Sequence, residues 1–269
     1  TSMLGDHSGA RRRRADDHCD ADEEHAASGT AIAGLIPPAP LSRQIFLNTM
    51  QAATHQAVIT GGTGGLGKAA ADALAAPDWS IAAPGSRELD VKDPAQVRCF
   101  FEDRDIDLLV CAAGITRDAS LGHLSEEAWD ETWSVNFTGA LSCIRAVLPN
   151  MIERRRGHIV LISSFSALRP PRGQAPYAAA KAALLGLVAE LATQHGPSNI
   201  RINAVLPGFL ETAMTSGVMP ERREQILADH TLGRFNTCAH AAEFIRFLHH
   251  HMPNTSGQVF QLDSRIARM

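Results

Sequence analysis

The chain has 269 residues, 45% hydrophobic and 20% charged, enough apolar material for one large α/β core and too much for a disordered chain. Its 25 basic residues against 29 acidic ones give a net charge of −4, without the basic excess of a dedicated nucleic-acid binder. Cys19, Cys99, Cys111, Cys143 and Cys238 are scattered and form no C-x-x-C pair, which excludes a disulfide framework or zinc knuckle and points to a reducing cytoplasm.

Residues 1–50 read as an extension. Arg11 to Arg14 precede an acidic stretch from Asp16 to Glu24, then small residues and Pro37-Pro38-Ala39-Pro40. Separate charge blocks beside Gly, Ser and Pro are expected to stay solvated and largely disordered. His18, Cys19 and His25 belong to that solvated stretch, so no metal site is expected. The apolar piece Leu41 to Met50 is a candidate for docking on the domain or on a neighbouring subunit. The acidic block separates the arginines from the short apolar stretch Ala31 to Ile36, which is not a signal-peptide arrangement. No stretch elsewhere holds the ~20 apolar residues that span a bilayer, so no membrane partner is expected.

Residues 51–269 read as one domain of alternating strands and helices. Ala57 to Thr60 predicts a buried strand, and the alanine-rich Lys68 to Ala76 a helix. Between them lies Thr60-Gly61-Gly62-Thr63-Gly64-Gly65-Leu66-Gly67. Here Gly61 can make the tight turn, Gly65 lets backbone approach a pyrophosphate, and Gly67 lets the helix pack close to the strand. A nucleotide-triphosphate loop competes, because Gly62 and Gly67 stand at the right spacing before Lys68. Ala69, however, replaces the hydroxyl residue that would hold Mg²⁺.

Further strands are predicted at Ser80 to Ala83, Leu108 to Ala112, His158 to Ile162, Ile200 to Leu206 and Gln258 to Leu262. Helices are predicted at Pro94 to Glu102, at Ser125 to Arg155 with a break, and at Pro176 to His195, Glu221 to Ala228 and Ala239 to His250. Apolar strands alternating with helices imply a doubly wound, Rossmann-like α/β fold with a parallel sheet. After the second strand, Ser86 and Arg87 offer donors for a ribose 2′-phosphate and no acid stands ready for a 2′-hydroxyl, which favours NADPH over NADH.

Tyr177 is the single tyrosine, and only Lys68, Lys92 and Lys181 are lysines. In Tyr177-Ala178-Ala179-Ala180-Lys181 the spacing of four places both chemical side chains on one helix face. An ammonium beside a phenol is expected to lower the phenol's pKa from ~10 and make it a general acid/base.

From residue 55 onward the chain resembles the short-chain dehydrogenase/reductase family, and within it the β-ketoacyl-[acyl-carrier-protein] reductases. The resemblance rests on Thr60 to Gly67, Gly114 to Asp118, Val135 to Gly139, Ile162 to Ser164, Gly173 to Lys181 and Pro207 to Thr212. It implies a catalytic tetrad of Asn136, Ser164, Tyr177 and Lys181. It further implies that Tyr177 protonates a carbonyl oxygen, Ser164 hydrogen-bonds that oxygen, Lys181 holds the nicotinamide ribose and Asn136 positions a water. The cofactor contacts it implies are Gly61, Thr63, Gly64, Gly65, Leu66 and Gly67, then Ser86, Arg87, Asp90 and Val91, then Ala112, Ala113 and Gly114, and Tyr177, Lys181, Pro207, Gly208 and Thr212. By the same resemblance the protein is a cytoplasmic homotetramer of fatty-acid biosynthesis.

Its substrate would then be a 3-oxoacyl thioester. Arg154, Arg155 and Arg156 are candidates for steering an acidic acyl-carrier protein, or for favourable charge at a helix carboxyl end, while Phe165, Leu168, Phe209 and Leu210 promise either an apolar mouth or simple core packing. The alternatives are an alcohol or hydroxysteroid dehydrogenase, a generic carbonyl reductase, and a non-catalytic dinucleotide-binding scaffold. Departures from the family pattern are Cys111-Ala112-Ala113-Gly114 in place of Asn-Asn-Ala-Gly, a compressed segment after the second strand, and Asp263-Ser264-Arg265 in place of a glycine pair.

Overall fold

The structure, a computed structural model, describes residues 55–266. The expected extension, including Leu41 to Met50, lies outside the described residues. Strands β1 (His55–Thr60), β2 (Trp79–Ala82), β3 (Leu108–Cys111), β4 (Gly157–Ile162), β5 (Ile200–Leu206) and β6 (Val259–Gln261) form one sheet ordered β2-β1-β3-β4-β5-β6. Every pairing in it is parallel. All four side chains of β3 are buried, as a strand covered on both faces requires. The short link after β2 leaves that strand at the sheet edge, the structural outcome of the compressed segment.

Alternation along the strands builds two cores. On one face Val58, Leu109, Ile159, Leu161 and Ile202 pack under α2 (Pro94–Phe101), α4 (Gly139–Arg154) and α5 (Ala175–His195). On the other, Ile59, Leu108, Val110 and Val160 pack under α1 (Gly65–Leu74) and α7 (Cys238–His251). Helix α3 (Glu126–Trp133) leans on α5, and α6 (Pro220–Ala228) buries none of its residues. The stretch Ala175–Ser198, which contains α5, is long and apolar enough by composition to cross a bilayer. It nevertheless buries Ala178, Ala180, Lys181, Leu184 and Val188 in this fold.

The expected break between Ser125 and Arg155 is a π-helical segment, Ser134–Thr138. It joins α3 to α4 without a turn and buries Asn136. Such a segment closes its hydrogen bonds one residue further along than an α-helix and recurs at functional sites.

A histidine cluster occupies the end of the sheet where the strands begin. His158, 1% exposed, contacts His249 Nδ1 at 3.3 Å and Asn203 Nδ2 at 3.2 Å. Trp79 stacks on His55 and meets His249 and His250 edge-on. Burial, reinforced by Arg201, holds His158 well below the ordinary histidine range and His249 at about 3. Between that value and the unfolded value of about 6.5 the unfolded chain binds protons that the folded chain refuses. Stability is therefore complete above pH 6.5 and declines as pH falls, by up to about 2.7 kcal/mol per pH unit for two such rings. Urea midpoints measured from pH 7 to pH 4 should show this slope, and His249→Phe should roughly halve it.

Candidate active site

The chain runs outward from β1 to β2 and returns through α2 to β3 on the other side. This reversal opens a crevice at the carboxyl ends of β1 and β3, the place where open α/β sheets bind ligands. The glycine loop and Ala112-Ala113-Gly114 border it. Gly61 adopts φ +71, and a Cβ there would lie 2.8 Å from Ala113 Cα. A Cβ on Gly67 would lie 2.3 Å from Gly61 O, so the loop closes on the first turn of α1 only because both are glycine. Gly64 caps α1, and a Cβ on Gly65 would meet the Thr212 methyl at 2.8 Å and Cys238 Sγ at 3.3 Å. The amide-bearing start of α1, Gly65 and Thr212 thus form a narrow cradle whose chemistry fits a dinucleotide's phosphates. Lys68 pairs with Asp72 at 2.8 Å on the exposed surface of α1.

The expected tetrad converges beside this crevice. Lys181, 4% exposed, donates from Nζ to Ile162 O at 2.9 Å, while Ser163 Oγ donates to Lys181 O at 2.8 Å and pins α5 to β4. Its Nζ stands 5.6 Å from the Tyr177 ring centroid. The Ser164 hydroxyl lies beside the Tyr177 phenol, near enough to draw its pKa down, and accepts from Ser166 N at 3.1 Å. Asn136 Nδ2 donates to Ile115 O and Thr132 O, both at 2.8 Å. Asn136 Oδ1 is left buried with no partner among the described residues. A Cβ on Gly114 would fall 2.8 Å from that oxygen and 3.5 Å from Lys181 Nζ, so Gly114 keeps open the space the two polar atoms face. An orphaned buried acceptor near an ammonium suits a bridging water.

The electrostatics correct one expectation. Burial raises the Tyr177 phenol above its ordinary value, the Ser164 hydroxyl opposes that, and the Asp118 charge adds to it. Lys181 does not lower it, because burial weakens Lys181 itself to about 8 and its ammonium is turned toward a carbonyl. In the protein alone the tyrosine is therefore held protonated, ready to act as an acid.

Other expected residues divide. Thr63 packs against Gly85, beside the exposed Ser86 and Arg87. Glu88, the nearest acid, accepts from Gly85 N at 2.8 Å and is thereby occupied. Asp90 caps Lys92 N at 3.0 Å, but Val91 points inward against Gly139 and belongs to the core. Ala113 N donates to Thr60 Oγ1 at 3.2 Å, so a threonine hydroxyl ties the β1 and β3 ends where the usual amides are missing. Pro207 is buried and its carbonyl accepts from Asn236 Nδ2, while Gly208 takes φ +91 against Asp263.

The apolar residues split between core and mouth. Phe165 and Leu210 are buried, and the Phe209 ring packs tilted against Phe235 with centroids 4.7 Å apart. Leu168 remains exposed, as do Leu121, Met214 and Met219 on the loops that follow β3, β4 and β5. Sequence reading missed these three, since single apolar residues in loops carry no periodic signal.

The arginine cluster divides between fold and surface, with Arg154 half-buried and Arg155 and Arg156 exposed. It lies at the carboxyl end of α4 and the start of β4, at the opposite end of this chain's sheet from the crevice. Arg154, 19% exposed, donates to Asp107 Oδ1 at 2.9 Å and to Ile106 O at 2.6 Å. Arg156 reaches the same carboxylate oxygen at 2.7 Å, and Arg155 takes the left-handed helix cap at φ 51 and donates to Pro197 O. These bonds offset the burial of Asp107 and hold its carboxyl below the usual range. Arg154→Ala should consequently cost about 2–3 kcal/mol of stability, since it strips a buried carboxylate of a partner. The same variant should leave KM for a carrier-linked substrate unchanged, which chemical denaturation and steady-state kinetics would check together.

Residues 50–264 match a family described as Enoyl-(Acyl carrier protein) reductase. The 3-oxoacyl-[acyl-carrier-protein] reductase FabG of Thermotoga maritima is 42% identical over 159 residues, covering 59% of this chain and 65% of that protein. Its namesake in Escherichia coli is 33% identical over 215 residues, 71% of this chain and 88% of the relative. A solved Beutenbergia cavernae structure, named as a candidate NAD(P)-dependent gluconate 5-dehydrogenase and holding NADP at low occupancy, superposes with a TM-score of 0.75 at 27% identity. It covers 81% of this chain and 98% of its own. Sheet order, glycine crevice and sequence kinship agree that the chain belongs to the short-chain dehydrogenase/reductase family of oxidoreductases.

Proposed function

We propose that this protein is an NADPH-dependent reductase of 3-oxoacyl thioesters, linked to an acyl-carrier protein or to coenzyme A, acting as a cytoplasmic homotetramer in fatty-acid synthesis. The observation that carries the reading is the meeting of Ser164, Tyr177, Lys181 and the orphaned Asn136 oxygen beside the glycine crevice. Kinship with proteins named 3-oxoacyl-[acyl-carrier-protein] reductase supports the substrate class, and the exposed apolar residues of the surrounding loops suit an acyl chain.

The dinucleotide, when bound along the glycine loop, supplies the hydride. Ser164 donates a hydrogen bond to the substrate carbonyl and fixes it against Tyr177. The phenol gives its proton to the carbonyl oxygen as negative charge develops there. A burial-raised phenol is matched to this direction, because it remains protonated until an alkoxide forms. Lys181 holds the ribose and passes a proton back to Tyr177, and the Asn136 oxygen anchors the water that links Lys181 to solvent.

NADPH oxidation followed with a short 3-oxoacyl thioester tests the reading. Faster turnover of a 3-hydroxyacyl or polyol substrate with NADP⁺ would replace it by a dehydrogenase, and absence of either activity by a scaffold. Cofactor choice gives a sharper check, since Arg87 is exposed beside the crevice while Glu88 is engaged by Gly85 N. Arg87→Ala should raise KM for NADPH about tenfold, the value of one charge-assisted contact, and leave KM for NADH within twofold.

A further inference from the structure

The segment after β6 carries side chains that reach three loops of the site, and the mechanism above uses none of them. Asp263 is 1% exposed at its side chain, a burial that a carboxylate tolerates only with strong partners. Arg265 provides them, with Nε and Nη2 both 2.6 Å from Asp263 Oδ2. Gln261 Nε2 donates to Asp263 Oδ1 at 2.7 Å, and His230 Nε2 stands 3.5 Å from Oδ2. His230 is itself buried and anchored through Nδ1 to Ile226 O at 2.7 Å, and its backbone bridges to Arg265.

The outer faces of this buried pair meet the site. The Arg265 guanidinium carbon lies 4.0 Å from the ring centroid of Phe165, the residue that follows Ser164, and its side chain is only 13% exposed. That is a desolvated cation on an aromatic face, and it fixes the plane of the ring. Asp263 Cβ stands 2.7 Å from where a Cβ on Gly208 would be, so the Pro207-Gly208 turn is built against this aspartate. Ser264 accepts at its carbonyl from Thr231 N and Oγ1 and at its hydroxyl from Leu232 N, fastening the segment that follows α6.

We infer that Asp263 and Arg265 are positioning residues for reduction: Arg265, held by Asp263, fixes Phe165 and through it sets the Ser164 hydroxyl against the substrate carbonyl. The inference rests on the proposed role of Ser164. Misplacing that hydroxyl weakens an interaction formed as the carbonyl gains charge, so the loss falls on kcat rather than on cofactor binding.

Arg265→Ala should lower kcat about tenfold, with KM for NADPH changed less than twofold. In a Ser164→Ala background the same change should lower kcat less than twofold further, because the group it positions is gone. Phe165→Leu removes the stacking face while leaving the buried pair whole, and covers the case in which Arg265→Ala fails to fold. It should reproduce the loss of kcat and likewise add nothing to Ser164→Ala. Arg265→Lys, which keeps the charge but not the planar fork, should recover only part of the activity. An unchanged kcat in the folded Arg265 and Phe165 variants, or a full tenfold loss added to that of Ser164→Ala, overturns the inference. A Ser164→Ala enzyme as fast as the wild type overturns instead the site reading on which it rests.

Discussion

Tyr177→Phe is expected to reduce turnover by about 10³-fold or more while the protein folds and binds NADPH as before, because only a transferable proton is removed. Cofactor fluorescence and kcat measured on the same preparation decide it, and turnover within tenfold of the wild type would remove Tyr177 from the role of acid. As Tyr177 is the single tyrosine, its phenolate absorbance reports one group. The cofactor-free protein should titrate above the ordinary value near 10, since burial raises it and the Asp118 charge assists. A midpoint below 10 without cofactor would mean that Lys181, and not burial, governs the phenol.

Lys181→Met should have opposite effects on activity and stability. The ammonium is 4% exposed, has Ile162 O as its hydrogen-bond acceptor and is held at about 8 by burial instead of 10.5. A buried lysine whose folded value is depressed destabilises the fold wherever it is charged, so the cost is full below pH 8 and fades as pH climbs toward 10.5. Methionine fills a similar volume without charge, and the apoprotein should gain about 3 kcal/mol at pH 7. Turnover should fall by about 10²-fold or more, with KM for NADPH raised, because the proposed ribose contact and proton route are lost. Thermal melts at pH 7 and pH 10 provide the test: a gain at pH 7 that shrinks at pH 10 supports the buried charge, whereas a loss at both contradicts it.

The strands were legible because a parallel sheet covered on both faces demands continuous apolar runs such as Leu108 to Cys111, and the glycine loop because its turn tolerates few other residues. The Tyr177-Lys181 pairing on one helix face was legible from its spacing of four, while Asn136 and Ser164 were named only by the family resemblance. Tertiary placement was not. A run of three arginines does not say at which end of the sheet it falls, and Asp107, which engages two of them, is far away in sequence. Nor does a Tyr-Lys spacing of four reveal that the lysine will be turned toward a strand carbonyl and starved of water. Phe165 and Leu210 read as mouth or core alike, because hydrophobicity shows a preference for burial without showing where it is met. The compressed link after β2 was visible as missing length, while its result, an edge position for β2, required the sheet order.

The π-helical segment at Ser134–Thr138 also has a meaning for insertions and deletions. Successive residues of a regular helix advance by about 100° around its axis. Removing one residue from this segment would allow α3 and α4 to join as a single uninterrupted helix, with better local hydrogen bonding than before. The same removal would rotate everything on the amino-terminal side, so that Thr132 would leave the core and Asn136 would swing away from Gly114. The irregularity thus acts as a phase shift that lets two helices keep separate packing registers and sends one amide side chain inward between them. A homologue that had lost this residue would look more regular at this point and would lose the buried amide oxygen that Asn136 presents to the space kept open by Gly114.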